Sequence, residues 1–94
     1  MKYAVVWTQS AIDDLEGIRH YIRIFNPCAA ADMAGQILAA AEALITLPYR
    51  GRAVPAAALR ETVLPYPYII RYRIDESAST VVILRVRHGS RRQE

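Results

Sequence analysis

Four arginines at alternating positions are the residues whose type and spacing point most directly to chemistry in this 94-residue chain. Arg71 and Arg73 lie in one apolar run, and Arg85 and Arg87 lie in the next. Side chains two positions apart on a β-strand point the same way, so a hairpin of these runs puts all four on one sheet face. Guanidinium groups bind carboxylates and phosphates through paired hydrogen bonds, and crowded like charges are destabilising. The spacing therefore predicts a face that binds an anion, either nucleic acid or an acidic partner protein.

The same alternation predicts apolar side chains among these arginines. A face that mixes apolar and cationic groups suits a protein partner better than bare nucleic acid, and exposed apolar residues need cover. The predicted binding set comprises Ile69, Arg71, Arg73, Val81, Ile83, Arg85, Arg87 and, in the C-terminal tail, Arg91 and Arg92.

A second possible chemistry for this region is RNA cleavage without a metal ion. That reaction needs cations around the phosphate and groups that move protons to and from the reacting oxygens. Arg71 and Arg85 could supply the cations, and His88, Glu61 and Tyr72 are the candidate proton handlers. However, strand parity puts Tyr72 and His88 in the opposite phase to the arginines. We therefore expect His88 to point toward the helices unless a bulge redirects it.

Apolar periodicity predicts the elements that must position these residues. Asn26 can cap a second helix and Pro27 suits its first position, so a break there separates two amphipathic helices. In chain order we predict a strand at 3–7, a helix over 11–25, a helix over 27–47, a loop over 48–58, a strand at 59–64 and two strands on either side of 75–79. The order β-α-α-β-β-β predicts an α+β fold in which a helical hairpin packs on one face of a small antiparallel sheet, with the other face open and basic.

Composition and charge limit the classes of protein to which this chain can belong. Hydrophobic residues make up 53%, which argues against disorder, and the net charge is +3. Residues 1–47 carry three basic and five acidic side chains, whereas residues 48–92 carry nine arginines and three acidic side chains. The single cysteine, Cys28, offers neither an internal disulfide nor a metal cluster. We expect one domain over 1–94, with a basic tail at 89–94, and no metal or cofactor.

The N-terminal segment indicates the expected location of the protein. It lacks the shape of a signal peptide, and no apolar run approaches the ~20 residues of a membrane span. We therefore expect a protein of the cytoplasm that does not act at a membrane.

Short pieces spread over nearly the whole chain carry a family resemblance through their order and spacing. They are Trp7-Thr8, Asp14-Leu15, Tyr21-Ile22, Asn26-Pro27, Leu47-Pro48, Gly51-Arg52, Arg60-Glu61, Pro67-Tyr68-Ile69-Ile70, Tyr72-Arg73-Ile74, Ile83-Leu84-Arg85-Val86 and His88-Gly89. In this arrangement the chain resembles the RelE/ParE superfamily of small toxins from type II toxin–antitoxin systems, and its ParE branch in particular.

The resemblance implies a growth-inhibiting toxin of a plasmid-stabilisation type, neutralised in a toxin–antitoxin hetero-oligomer by a ParD-like antitoxin encoded beside it. ParE-like members poison DNA gyrase and have no known hydrolytic chemistry, whereas RelE-like members cut mRNA in the ribosomal A site. RelE-like nucleases place an arginine where this chain has Ile69. They also carry a tyrosine near the C-terminus, and this chain has none after Tyr72.

We therefore expect a toxin that inhibits gyrase by binding, with no catalytic residues. The antitoxin's C-terminal segment is expected to bring acidic residues to Arg71, Arg73, Arg85 and Arg87. Two alternatives stay open at this point. One is a ribosome-dependent mRNA endoribonuclease that uses Arg71, Arg85 and His88, and the other is a decayed toxin that retains only antitoxin binding.

Overall fold

The computed structural model describes residues 2–55, 57–63 and 65–89 as two helices packed on one face of a five-stranded sheet. The elements are β1 (Ala4–Trp7), α1 (Gln9–Phe25), α2 (Pro27–Glu42), a 3₁₀ turn (Ala43–Ile45), β2 (Arg52–Val54), β3 (Leu59–Thr62), β4 (Tyr68–Asp75) and β5 (Thr80–His88). The strand order is β1-β5-β4-β3-β2, with β1 parallel to β5 and all other neighbours antiparallel. The predicted α+β class is confirmed, and the segment predicted as a loop over 48–58 contains the short strand β2.

Side-chain caps set the start of both helices. Thr8 Oγ1 accepts a hydrogen bond from the amide of Ala11 at 3.1 Å, and Asn26 Oδ1 accepts one from the amide of Ala29 at 3.1 Å. Pro27 follows Asn26 directly, where its missing N–H costs no helical hydrogen bond. The break that the sequence predicts at Asn26-Pro27 is therefore the tip of the helical hairpin.

The core lies between the helices and the even-numbered side chains of β4. Tyr68, Ile70 and Tyr72 are buried, as the alternation of this strand predicts. The other buried apolar residues of the core cluster are Ala11, Ile37, Ala41, Leu44, Val81, Ile83 and Val86. Phe25 is the last residue of α1 and is 73% exposed. Its ring packs edge-on against Tyr21, with the centroids 5.4 Å apart.

A bulge interrupts the pairing of β4 with β5. Arg71 pairs with Arg85, but the next residue, Tyr72, pairs with Ile83. Leu84 is therefore an extra residue on β5. One extra residue shifts a two-residue period by one position, so the side chains before and after Leu84 follow opposite phases.

The bulge corrects one part of the predicted binding set. Val81 and Ile83 are 0% exposed and lie in the core with Val86, whereas Arg85 and Arg87 point to the opposite face. The prediction that Val81 and Ile83 share a face with the arginines is therefore wrong. Without a bulge, all odd-numbered residues of β5 would point to the same face of the sheet. The extra residue, Leu84, puts Val81 and Ile83 on the face opposite to Arg85 and Arg87.

The second helix and the 3₁₀ turn after it are long and apolar enough to be compared with a membrane-spanning helix. By length and composition alone, Pro27–Ile45 could cross a bilayer, contrary to the expectation that no segment approaches that length. The core helix of a soluble protein passes the same test. Here Ala30, Ile37 and Ala41 of α2 and Leu44 after it are buried within the domain. These residues face the core, and 28% of the apolar window is buried within the domain.

The phenol of Tyr72 anchors the segment that leads into β2. Its hydroxyl accepts a hydrogen bond from the amide of Gly51 at 3.0 Å and donates one to the carbonyl of Pro48 at 2.7 Å. A Cβ on Gly51 would lie 2.5 Å from that hydroxyl and 2.9 Å from the carbonyl oxygen of Glu61, so a side chain does not fit there. Burial raises the pKa of Tyr72, while the hydrogen bond from Gly51 and the charge of Arg60 oppose the shift.

Replacing Tyr72 with phenylalanine should weaken the fold and change its response to alkali. Two buried backbone groups lose their partner, so the free energy of unfolding in urea should fall by about 1–3 kcal/mol near neutral pH. The raised pKa means that the folded state favours the neutral phenol. Its contribution is therefore complete below about pH 10 and is lost as the pH rises through the raised value.

Urea unfolding measured from neutral to alkaline pH should therefore show a steeper loss of stability for the wild type than for Tyr72→Phe. Tyr66→Phe is the matched control, because Tyr66 is 79% exposed, and it should follow the wild type throughout. Equal alkaline slopes for wild type and Tyr72→Phe would contradict this account.

Candidate functional site

The sheet face turned away from the helices brings the four arginines together on adjacent strands. The cross-strand pairs are Ile69 with Arg87, Arg71 with Arg85 and Arg73 with Val82, and we call these six residues the arginine face. Arg73 is exposed, while the other three arginines are half-buried. Val82 therefore contributes the apolar group that the sequence assigned to Val81 and Ile83. Arg91 and Arg92 lie outside the described residues.

Two carboxylates occupy the guanidinium groups of Arg71 and Arg85. Glu61 Oε2 accepts hydrogen bonds from Nε and Nη2 of Arg71, the first at 2.9 Å. Asp14 Oδ2 and Oδ1 accept from Nε and Nη2 of Arg85 at 2.8 and 3.1 Å. Arg52 Nη2 lies 3.8 Å from the other oxygen of Glu61. These five side chains form what we call the charge row, which crosses the molecule from β2 to α1.

The carboxylates are held more deeply than the arginines that they neutralise. The side chains of Glu61 and Asp14 are 12% and 17% exposed, against 37% and 41% for Arg71 and Arg85. Charge-assisted pairs with parallel N–H···O bonds are shorter and stronger than neutral hydrogen bonds. The row therefore fixes the orientation of two guanidinium groups before any partner arrives.

Sheet topology explains how a helix residue comes to pair with Arg85. Strand β1 ends at Trp7, opposite Ile83, so among the described strands β5 has no neighbour on that side beyond this point. Asp14, in the second turn of α1, takes the place of the missing strand: its Oδ2 also accepts from the amide of Val86 at 2.9 Å. One carboxylate thus caps the open edge of β5 and binds Arg85.

Arg87, a third arginine of the arginine face, is close enough to the Arg71–Glu61 and Arg85–Asp14 ion pairs for their charges to affect it. Burial lowers its pKa, the nearby charges of Arg85 and Arg71 add to that effect, and Asp14 and Glu61 oppose it. The hydrogen bonds and charge of Asp14 raise the pKa of Arg85. Arginine stays charged at any physiological pH, so the four arginines of the face and their two carboxylate partners hold four positive and two negative charges.

The candidate proton handlers do not meet on the arginine face. Tyr72 is 0% exposed in the core. His88 lies on the helix side, as strand parity predicts, with its ring edge-on to Tyr68 and the centroids 5.3 Å apart. Of the described candidates, Glu61 alone reaches the arginine face, where it is bound to Arg71. The arrangement can bind and orient an anionic or apolar ligand, but it does not assemble an acid–base pair around a phosphate.

A groove between α1 and β5 adds a surface of apolar and charged groups that the sequence did not predict. Its volume is about 570 Å³. Its lining comprises Asp13, Asp14, Gly17, Ile18 and Tyr21 of α1 together with Tyr68 of β4 and Arg85, Val86, Arg87 and His88 of β5. Tyr21 is 54% exposed, and its neighbours Ile24 and Phe25 at the hairpin tip are 67% and 73% exposed. Large apolar side chains exposed together are typical of protein interaction sites.

Sequence reasoning missed Asp14 as a counterion and treated Glu61 only as a proton handler. The alternation of β3 could have identified Glu61, because it stands one strand away from Arg71 in the same phase. Asp14 gave no local signal, since its partner Arg85 is 71 residues further along the chain. No group of three metal-ligating side chains is found within the described residues.

Comparisons with known proteins agree in placing this chain among small bacterial toxins. The family model described as the ParE toxin of type II toxin–antitoxin systems matches residues 5–93. The chain is 46% identical over 87 residues to Toxin RelE2 of Caulobacter vibrioides, covering 93% of this chain and 96% of the relative.

Two solved structures share the fold. A chain of the chromosomal ParDE TA system from P. aeruginosa superposes with a TM-score of 0.79 at 23% identity, covering 92% of this chain and 95% of the other, which shows the fold alone. The toxin–antitoxin complex RelBE2 from Mycobacterium tuberculosis gives 0.63 at 30% identity, covering 94% and 99%.

Removing the Asp14 carboxylate should destabilise the protein far more than removing its neighbour. Asp14→Ala leaves the amide of Val86 without its acceptor and releases Arg85, which should cost about 1–3 kcal/mol in urea unfolding. Asp13→Ala is the matched control: Asp13 is exposed and accepts a hydrogen bond from the Gln9 side chain at 2.9 Å, so the change should stay within about 0.5 kcal/mol. Similar losses for the two variants would show that the edge of β5 does not depend on Asp14.

Proposed function

We propose that this chain, which belongs to the ParE toxin family of type II toxin–antitoxin systems, arrests growth by binding DNA gyrase in the cytoplasm. A ParD-like antitoxin holds it inactive in a hetero-oligomer. The observation that supports binding over catalysis is that Glu61 and Asp14 already occupy the guanidinium groups of Arg71 and Arg85. His88 lines the groove beside Arg85 and Arg87, with its ring packed edge-on against Tyr68.

A toxin that acts by binding needs a rigid, complementary surface and no acid–base pair. Two guanidinium groups of the arginine face are held in place, because Glu61 binds Arg71 and Asp14 binds Arg85. The cluster keeps a net positive charge, which speeds encounter with an anionic target such as a DNA-bound enzyme. In this account the arginines hold the target in place, and no bond is made or broken by the toxin.

The antitoxin segment that we expect on this face is both apolar and acidic. Ile69 and Val82 provide half-buried apolar contacts, and Arg73 and Arg87 provide cations at their sides. Interfaces between proteins combine an apolar centre with a polar rim. A C-terminal antitoxin segment with apolar residues between carboxylates has the required complementarity.

The ribosome-dependent mRNA endoribonuclease is the second candidate, and the name of the 46% identical relative, Toxin RelE2, favours it. For this chain His88 already lines the groove with Arg85 and Arg87, and catalysis would require it to leave its contact with Tyr68. Under the gyrase proposal, His88→Ala should still arrest growth when expressed without antitoxin. A decayed toxin would arrest growth in neither form.

A plasmid supercoiling assay with purified gyrase, ATP and antitoxin-free protein tests the proposal directly. We expect supercoiling to stop, with cleaved plasmid trapped on the enzyme, and addition of the antitoxin to restore it. His88→Ala should inhibit equally well, because the histidine has no part in binding.

Unimpaired supercoiling would contradict the gyrase proposal, provided that the same protein preparation arrests growth in cells. Cleavage of mRNA on isolated ribosomes by the wild type, and its loss in His88→Ala, would then establish the second candidate.

Antitoxin binding should depend on the outer arginines of the face. Arg73→Glu combined with Arg87→Glu places like charges against an acidic segment, so affinity should fall by at least tenfold, or about 1.4 kcal/mol. Phe25→Asp changes the exposed hairpin tip instead and should leave affinity within about twofold. Titration calorimetry with the antitoxin of the neighbouring gene measures both. The reverse pattern would move the antitoxin to the tip of the helical hairpin.

A further inference from the structure

We propose that Glu61 and Asp14 determine the specificity of the arginine face by keeping nucleic acid off it. Their carboxylates occupy the side of Arg71 and Arg85 that would otherwise receive a phosphate. The face therefore selects a protein partner over a nucleic acid backbone. The inference does not depend on gyrase being the target, because it concerns the class of ligand that the face accepts.

The occupied side of each guanidinium is the one made by Nε and Nη2. Arg71 gives both donors to Glu61, and Arg85 gives both to Asp14. Paired N–H donors of this kind are the arrangement by which arginine binds a phosphate in a bidentate manner. A phosphodiester must therefore displace a carboxylate that is already in place, or accept a poorer geometry on the remaining donors.

The burial of the carboxylates makes that displacement unfavourable. With side chains 12% and 17% exposed, Glu61 and Asp14 have little room to turn into solvent when a phosphate arrives. Asp14 is held further by the amide of Val86 at 2.9 Å, and Glu61 lies 3.8 Å from Arg52. Displacing either one would leave a buried charge with fewer partners, which is strongly destabilising.

The remaining charge is also reduced, which weakens binding to a polyanion. The four arginines of the face contribute four positive charges, and Glu61 and Asp14 cancel two of them. Nucleic acid affinity grows with the number of phosphates that are neutralised, and it weakens steeply with salt. A protein segment needs fewer charges, because it also gains from contact with Ile69 and Val82.

The experiment measures binding of a fluorescein-labelled single-stranded RNA of about 20 nucleotides by fluorescence anisotropy. The full chain is compared with Glu61→Gln and Asp14→Asn, singly and together. Each substitution removes one negative charge. Glu61→Gln keeps an oxygen that can accept both hydrogen bonds from Arg71, whereas Asp14→Asn keeps the acceptor for Arg85 Nε and the Val86 amide and loses the one for Arg85 Nη2. Glu16→Gln is the matched control, since Glu16 forms an exposed ion pair with Arg19 at 2.6 Å on α1, away from this face.

We expect Glu61→Gln and Asp14→Asn each to raise RNA affinity about tenfold at about 50 mM salt, and the double variant to raise it further with a steeper salt dependence. Glu16→Gln should change affinity by less than about twofold, because an exposed charge distant from the site is screened.

If Glu61→Gln binds RNA no better than Glu16→Gln, the proposal is overturned. Circular dichroism confirms that each variant is folded; should Asp14→Asn fail to fold, Glu61→Gln alone decides the question. Gyrase is absent from this assay, so failure of the gyrase proposal and failure of this inference give separate results.

Discussion

Guanidinium groups held side by side on adjacent strands repel one another, and this structure depends on carboxylates that compensate their charge. Glu61 of the neighbouring strand binds Arg71, and Asp14 of α1 binds Arg85. Because Asp14 also bonds the backbone of Val86, the same side chain ties the first helix to the open edge of β5. The stability of the helix–sheet contact and the charge of the binding face are thus parts of one arrangement.

The phase of each strand separates binding groups from groups that could move protons. On β4 the arginines alternate with tyrosines, so Tyr72 enters the core and anchors the segment before β2 through its hydroxyl. On β5 the residues after the bulge put Arg85 and Arg87 outward and His88 toward the helices. The outward face therefore has four arginines, and two carboxylates are already bound to them. That composition fits a surface for holding a partner.

The parts of the fold that rest on local pattern could be predicted from the sequence. The alternation of β4, the Asn26 cap and the position of His88 relative to the arginines follow from residues close together in the chain. The bulge at Leu84 could not be predicted from the sequence. Alternation within one strand does not show which residues of the neighbouring strand it pairs with. The pairing of Asp14 with Arg85 depends on where β1 ends beside β5, which only the assembled sheet decides. The bulge replaces Val81 and Ile83 with Val82 on the binding face, and the position of α1 brings Asp14 to Arg85 as a counterion.

We propose that this toxin stops replication by binding gyrase and leaves mRNA intact. The most direct test follows incorporation of labelled thymidine and labelled methionine in the first minutes after the protein is expressed without its antitoxin. A gyrase-binding toxin should reduce thymidine incorporation first, while protein synthesis continues at its earlier rate. An immediate fall in methionine incorporation with DNA synthesis still under way would contradict the account and would place the arginine face at the ribosome.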